Sequence, residues 1–210
     1  MRFSSLTLGM LTVLLAAPAA ANSPTMPRKL AKMDAEAFRS ATTVNDDRLE
    51  FDTVISTRDG FRKQMRMNGS AWGDNHVEAH IDKRTGATRF EVHQSVRYLG
   101  SRRSYGTVHF EDRDGTLVAR PIDRTRHGED VCPNSDFNGD CSLTKQLVFS
   151  VDEKLLKTII ARDGGWSFKF KGNRSDKSDD LLAQLAPAEV EGLLLAVNDY
   201  RARLSRHASR

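Results

Sequence analysis

Residues 76–98 read HVEAHIDKRTGATRFEVHQSVRY, and this stretch decides the fold. Apolar and polar side chains alternate before and after the turn-forming residues Lys83-Arg84-Thr85-Gly86. A period of two on both sides of a glycine-containing turn predicts a β-hairpin. Because the alternation makes one face apolar and the other polar, we expect an antiparallel sheet with one packed face and one face exposed to water.

The turn also predicts the register of this hairpin. With the turn at residues 83–86, His76 lies opposite His93 on the polar face. Glu78 then lies opposite Glu91 on the same face, and His80 lies beside them. Directly facing residues of an antiparallel pair lie about 4.5–5.5 Å apart, which suits two ligands of one transition metal. The histidines therefore form a candidate metal site, at His76, His80 and His93. The alternative interpretation is a solvated polar face.

The chain on either side of this hairpin extends the same architecture. Alternating segments and glycine turns predict consecutive hairpins from residue 49 to residue 124. Further strands are expected at residues 145–149 and 166–170, with a helix between them that a capping box of Ser150 and Glu153 begins. Pro187 is expected to be the first residue of a last helix. The fold class is therefore α+β, an antiparallel β-meander followed by a β-α-β-α segment, with the helices packed on one face of the sheet.

The N-terminal segment predicts export. Residues 1–21 combine a positive start, a short apolar run and the small residues Ala19-Ala20-Ala21, which is the pattern of a signal peptide cleaved before Asn22. The alanine-rich leader is typical of bacteria, so we expect a periplasmic or secreted protein of the cell envelope. Residues 22–48 are expected to form a tether with one short helix, and residues 49–210 a single α+β domain.

The composition limits the classes of partner. The 32 basic and 28 acidic residues are interspersed and give a net charge of only +4. This is well short of the basic surface expected of a nucleic-acid-binding protein. The apolar run of the leader is too short to span a membrane. We therefore expect no nucleic-acid partner and no membrane-spanning segment, and an envelope protein, lipid or glycan as the partner class.

The two cysteines, Cys132 and Cys141, are separated by eight residues rich in turn formers. In an oxidising compartment such a pair most often forms a disulfide bond. The alternatives are free thiols or metal ligands, which export disfavours. We therefore expect a disulfide bond that closes a short loop.

The loop between the cysteines resembles the first part of a calcium-binding loop. Its oxygen-bearing side chains recur at alternate positions around Gly139, as hard cations require. The candidate ligands of a weak Ca²⁺ site are Asn134, Asp136, Asn138 and Asp140. The twelfth position of the pattern is Lys145 and not a bidentate glutamate, so an ordinary polar turn is the alternative.

Two other groups of residues were candidates for chemistry. Ser142 and Lys145 match the serine-lysine pattern S-x-x-K, but they precede a predicted strand, where residues three apart point to opposite faces. A loose basic group could bind an anionic lipid headgroup, a glycan or a peptide, although neighbouring acidic residues favour a solvated surface. Its members are Arg97, Arg102, Arg103, Arg124 and Arg126, with Tyr98 and Tyr105 among them.

Two hypotheses for the function remain after these motifs are considered. The sequence favours a non-enzymatic binding or interaction module of the bacterial cell envelope, because no nucleophile, acid, base and metal pattern converges locally. The alternative is a metal-dependent hydrolase that uses His76, His80 and His93 with Glu78 on the polar sheet face. No cofactor is expected apart from the two candidate metal sites.

Overall fold

A computed structural model describes residues 26–60, 65–68, 71–132, 140–162, 164–175 and 178–208. The expected signal peptide and its cleavage site lie outside these residues. The helices, after a 3₁₀ turn at Leu30–Lys32, are α1 (Ala35–Ala41), α2 (Glu153–Ile160) and α3 (Pro187–Ala208). The strands are β1 (Thr43–Asn45), β2 (Asp52–Ser56), β3 (Met65–Asn68), β4 (Ala71–Asp82), β5 (Thr88–Leu99), β6 (Tyr105–Glu111), β7 (Leu117–Pro121), β8 (Arg124–His127), β9 (Ser142–Val151), β10 (Trp166–Gly172) and β11 (Leu181–Leu185).

The strands form two antiparallel sheets, which confirms the α+β class but corrects the expectation of one meandering sheet. The first sheet has the order β1-β2-β4-β5-β9-β8, with β3 also paired to β4. The second has the order β11-β10-β6-β7. The chain leaves the first sheet after β5, where Gly100 adopts a φ of 95°. This left-handed conformation is one that glycine adopts without strain, and it ends the strand.

The hairpin of β4 and β5 has the predicted register. His76 pairs with His93 and Glu78 with Glu91 along two strands of twelve residues each. Asp82 holds the turn, because its Oδ1 accepts hydrogen bonds from the backbone N–H groups of Arg84 and Thr85. The local turn chemistry and the alternation therefore specify this pairing without help from the rest of the chain.

The core lies on the apolar face of the first sheet. Phe149 of β9 contacts aromatic rings of the second sheet, at 5.4 Å from Phe168 and 5.9 Å from Phe170 between ring centroids. α3 packs on the same side, where the Tyr200 hydroxyl lies 2.7 Å from Thr53 Oγ1 of β2. The second sheet and the helices thus cover this face together, which corrects the expectation that helices alone cover it.

The start of α2 also differs from the prediction. The N-cap residue is Asp152, whose Oδ1 accepts a 2.7 Å hydrogen bond from the N–H of Leu155. Ser150 remains in β9 and pairs with Glu91 of β5. The predicted capping box is wrong because the strand continues two residues further than expected, so the acidic side chain next to the helix takes the capping position. α3 does begin at Pro187, as predicted.

The predicted disulfide bond between Cys132 and Cys141 is confirmed, with an S–S distance of 2.12 Å. It closes the loop that carries the candidate calcium ligands. Asn134, Asp136 and Asn138 lie outside the described residues, so their geometry is not part of this structure. Asp140 is described and is exposed. Among the described residues, no helix combines the length and the apolar character needed to cross a membrane.

Candidate metal centre

The candidate site lies on the polar face of the first sheet, where β4 and β5 present the same five side chains that the sequence singled out. The register places His76 opposite His93, and Glu78 opposite Glu91. His80 is two residues beyond Glu78 on β4 and points to the same face, because alternate residues of a strand share a face. These five side chains are His76, Glu78, His80, Glu91 and His93, and we call them the His/Glu cluster.

Four members of the cluster bring one ligand atom each to a common point. The Nε2 atom of His93 lies 3.2 Å from Glu78 Oε2 and 3.1 Å from Glu91 Oε2. The Nε2 atom of His80 lies 3.4 Å from the same Glu78 oxygen and 3.3 Å from the same Glu91 oxygen. The donor atoms of these four residues all lie within 4.8 Å of one another.

These distances are those of a metal-binding shell. A tetrahedron with metal–ligand bonds of about 2.0–2.1 Å has edges of about 3.3–3.4 Å. The four nitrogen–oxygen distances, 3.1–3.4 Å, match four of the six edges of such a tetrahedron, and they are also ordinary distances for ion pairs. In these four contacts each glutamate uses its Oε2 atom, so the candidate ligands are two nitrogens and two oxygens.

The imidazole of His80 supplies a second indication. Its Nε2 atom is buried and makes no hydrogen bond of acceptable geometry, although it lies near both carboxylates. The two carboxylates favour a positive charge at this position. The proton of His80 supplies that charge in the metal-free protein, and a metal cation at the centre of the cluster would replace it.

Other side chains hold the two carboxylates in place. Glu78 Oε1 accepts a 3.1 Å hydrogen bond from Ser56 Oγ and lies 3.2 Å from His76 Nε2. Arg124 of β8 donates to Glu91 Oε2 and Arg89 lies 3.5 Å from Glu91 Oε1. Hydrogen bonds to ligating carboxylates orient them, as in the outer shell of metal sites. His76 is therefore outside the four-ligand group, and its ring stacks on that of His93 with centroids 4.9 Å apart.

The cluster is largely buried, with the side chains of Glu78 and His80 15% and 13% exposed, which corrects the expectation that these side chains are open to water. Glu91 is 3% exposed, His76 8% and His93 9%. β5 is an inner strand of the sheet, and Arg124 reaches Glu91 from β8, two strands away. Alternation predicts which side chains share a face but not how much of that face the neighbouring strands cover.

Burial and pairing shift the protonation equilibria of the cluster. Burial alone would raise the pKa of Glu78, but the contacts with His76 and His80 outweigh it and hold this pKa below its usual range. Burial alone would also raise the pKa of Glu91. Contacts with His80, His93 and Arg124 outweigh this effect and hold the pKa of Glu91 below its usual range. The carboxylate of Glu78, followed by that of Glu91, raises the pKa of His80 to about 9. Both carboxylates are therefore ionised, as metal ligands must be.

The other sequence candidates do not converge. Ser142 and Lys145 contact different parts of the protein, since Ser142 Oγ accepts from Arg97 Nε and Lys145 Nζ donates to the carbonyl of Arg103. The S-x-x-K pattern therefore lacks the geometry of a catalytic pair, as the strand assignment predicted.

The loose basic group does not form one surface. Arg102 pairs with Asp130, and Arg103 lies 3.4 Å from Asp179. Arg124 joins the His/Glu cluster through Glu91, whereas Arg97 bonds to Ser142 on the same sheet face. Separate carboxylates therefore pair with three of its five arginines, Arg102, Arg103 and Arg124.

The sequence interpretation missed the residues that support the cluster. Ser56 and Arg124 come from strands outside the central hairpin, 22 and 33 residues from the glutamates they contact. No local pattern links such distant positions.

Comparison with protein-family models, with curated proteins and with solved structures finds no match to this chain. The assignment of the site therefore depends on its geometry alone.

Proposed function

We propose that this protein is an exported binding module that holds one divalent transition-metal ion at Glu78, His80, Glu91 and His93. The observation that supports it is the set of four nitrogen–oxygen distances of 3.1–3.4 Å around one point. The disulfide bond is typical of an oxidising compartment and is consistent with export to the periplasm or beyond.

Zinc is the metal that this donor set favours. Two imidazole nitrogens and two carboxylate oxygens are ordinary zinc ligands. Calcium and magnesium prefer six or more oxygen ligands, and soft thiolate ligands are missing from the cluster. Zinc also has no geometric preference that would require further ligands.

The ligand count favours binding over catalysis. Catalytic zinc sites have three protein ligands and leave the fourth position to water, whereas four protein ligands are typical of closed sites. The His/Glu cluster offers four donors, enough for a closed tetrahedral shell, which supports the non-enzymatic module. The metal-dependent hydrolase remains the alternative hypothesis, and it requires one of the four ligands to give way to water.

The test is metal content and affinity of the purified protein. The chain stripped with a chelator should bind one zinc ion, measured by calorimetry and elemental analysis, and its melting temperature should rise on zinc addition. The double variant Glu91→Gln, His93→Ala should lose this binding. The matched control His127→Ala removes an exposed histidine of β8 and should bind zinc like the original chain.

Two results would contradict the proposal. One is the absence of stoichiometric zinc binding by the stripped chain. The other is unchanged binding by the double variant, which would place the ion elsewhere. Zinc-dependent hydrolysis of ester or phosphoester substrates that is lost in the His76→Ala, His93→Ala variant would favour the hydrolase instead.

A further inference from the structure

A groove of about 690 Å³ lies on the same sheet face as the His/Glu cluster. His76 lines one part of it, and the groove includes the start of β4, the end of β5 and the start of β9. This size is typical of sites that bind small molecules. The side chains that matter for recognition are Arg58, Trp72, Arg97 and Ser142.

One hydrogen bond orients the exposed side chain of Arg97 within this groove. Its Nε donates a 2.7 Å hydrogen bond to Oγ of Ser142, which is only 9% exposed. That bond uses Nε and leaves the two terminal nitrogens of the guanidinium group available for a ligand. These two nitrogens form the fork that binds a carboxylate or phosphate with two parallel hydrogen bonds. Within the described part of the chain, Arg97 has no carboxylate partner, unlike Arg102, Arg103 and Arg124.

Arg58 adds a second positive charge to the wall of the groove. It follows β2 and has no ion pair with any described carboxylate. Its backbone N–H donates to Ser56 Oγ at 3.2 Å, and this hydroxyl group also donates to Glu78. Hydrogen bonds through Ser56 therefore connect the loop that carries Arg58 to strand β4. Two guanidinium groups outnumber Asp74, the one carboxylate among the described residues that line the groove, and favour an anionic ligand.

Trp72 supplies an apolar surface next to this positive charge. It lies directly opposite Arg97 in the register of β4 and β5, and it is 42% exposed. An exposed indole beside polar groups is typical of a surface that packs against a ring of a ligand. The other tryptophan, Trp166, is 1% exposed and belongs to the core.

From these observations we infer that the groove binds a small organic anion that carries a ring. The carboxylate or phosphate group of the ligand contacts the fork of Arg97, Arg58 adds its charge, and the ring packs on Trp72. This binding is a property of the groove itself and does not require the metal ion.

The experiment uses the full chain in the presence of a chelator, with phenyl phosphate and benzoate as probes. Binding is followed by tryptophan emission, because Trp72 is in the groove and Trp166 is buried. At least one probe should give a saturable change. Phenol and inorganic phosphate, which each lack half of the recognised chemistry, should bind at least about tenfold more weakly. A preference between the two probes identifies phosphate or carboxylate as the recognised group.

Variants test the residues that carry the inference. Arg97→Gln should weaken binding at least about tenfold, since it removes a charged hydrogen-bonding partner. Ser142→Ala keeps the charge but frees the side chain, and should weaken binding by a smaller factor. The control Arg113→Gln changes an exposed arginine that pairs with the neighbouring Asp114, and should bind like the original chain. Circular dichroism confirms that each variant is folded.

The inference is overturned if neither probe gives a saturable change, or if Arg97→Gln and Ser142→Ala both bind as tightly as the original chain. Probe binding to the Glu91→Gln, His93→Ala variant distinguishes a failure of the groove inference from a failure of the metal proposal. Retained binding in that variant supports a groove that acts without the metal, and its loss there contradicts this independence.

Discussion

Substitution of His80 by glutamine should destabilise the metal-free protein strongly near pH 6 and only slightly near pH 9.5. The two carboxylates beside this imidazole raise its pKa from 6.5 to about 9 in the folded chain. The side chain of His80 is only 13% exposed, so solvent screens these contacts little. Folding therefore favours the protonated imidazole over the neutral one.

The magnitude follows from the size of the shift. A rise of about 2.5 pKa units corresponds to about 3 kcal/mol, since one unit is about 1.4 kcal/mol. Because the folded pKa is the higher one, this stabilisation is complete below about pH 6.5 and is lost as the pH rises through about 9. Glu78 and Glu91 stay ionised over this whole window, because their pKa values are lowered.

The assay is urea unfolding of the original chain and of His80→Gln, with a chelator present, at several pH values from about 6 to about 9.5. The difference in unfolding free energy between the two proteins should shrink by about 3 kcal/mol across this range. His127→Gln, which removes an exposed histidine outside the cluster, controls for the substitution itself. Parallel pH curves for the original chain and His80→Gln would refute the argument, because His80 would then have the same pKa in the folded and unfolded chains.

Zinc affinity should rise by about tenfold per pH unit from neutral pH to about pH 9, because the metal must displace the proton of His80. Competition titrations at fixed ionic strength measure this slope, and an affinity that does not change with pH contradicts the prediction. Reduction and alkylation of Cys132 and Cys141 should lower the free energy of unfolding by about 2.7 kcal/mol, the loop-closure entropy of a ten-residue loop, as urea unfolding of the oxidised and alkylated chains can determine. Asp152→Ala should destabilise the protein by about 1 kcal/mol through loss of the α2 cap, whereas Ser150→Ala should have the smaller effect; equal losses in thermal unfolding would argue against the observed cap.

The central hairpin could be predicted in detail because its determinants are local. Asp82 and Gly86 form the turn, and the alternation on either side assigns each residue to a face. These two facts were sufficient to place His76 opposite His93. The disulfide bond was also predictable, because two cysteines nine positions apart in a chain with a predicted signal peptide have few other uses.

Other features required contacts between distant parts of the chain. After Gly100 the chain leaves the first sheet, and β6 pairs instead with β10, which lies more than fifty residues later in the sequence. The capping of α2 by Asp152 depends on how far β9 continues along β5. Local propensity does not determine where a strand ends when tertiary pairing extends it.

The sequence by itself determined the members of the His/Glu cluster, their common face and their opposition across β4 and β5, since a strand repeats every two residues whatever surrounds it. Only the tertiary structure decided that the His/Glu cluster on this face is largely buried, that the donor atoms of four of its residues lie within 4.8 Å of one another, and that Ser56 and Arg124 hold the carboxylates. The physical reason is that burial and side-chain direction depend on the flanking strands. Those strands come from parts of the chain that only folding brings together.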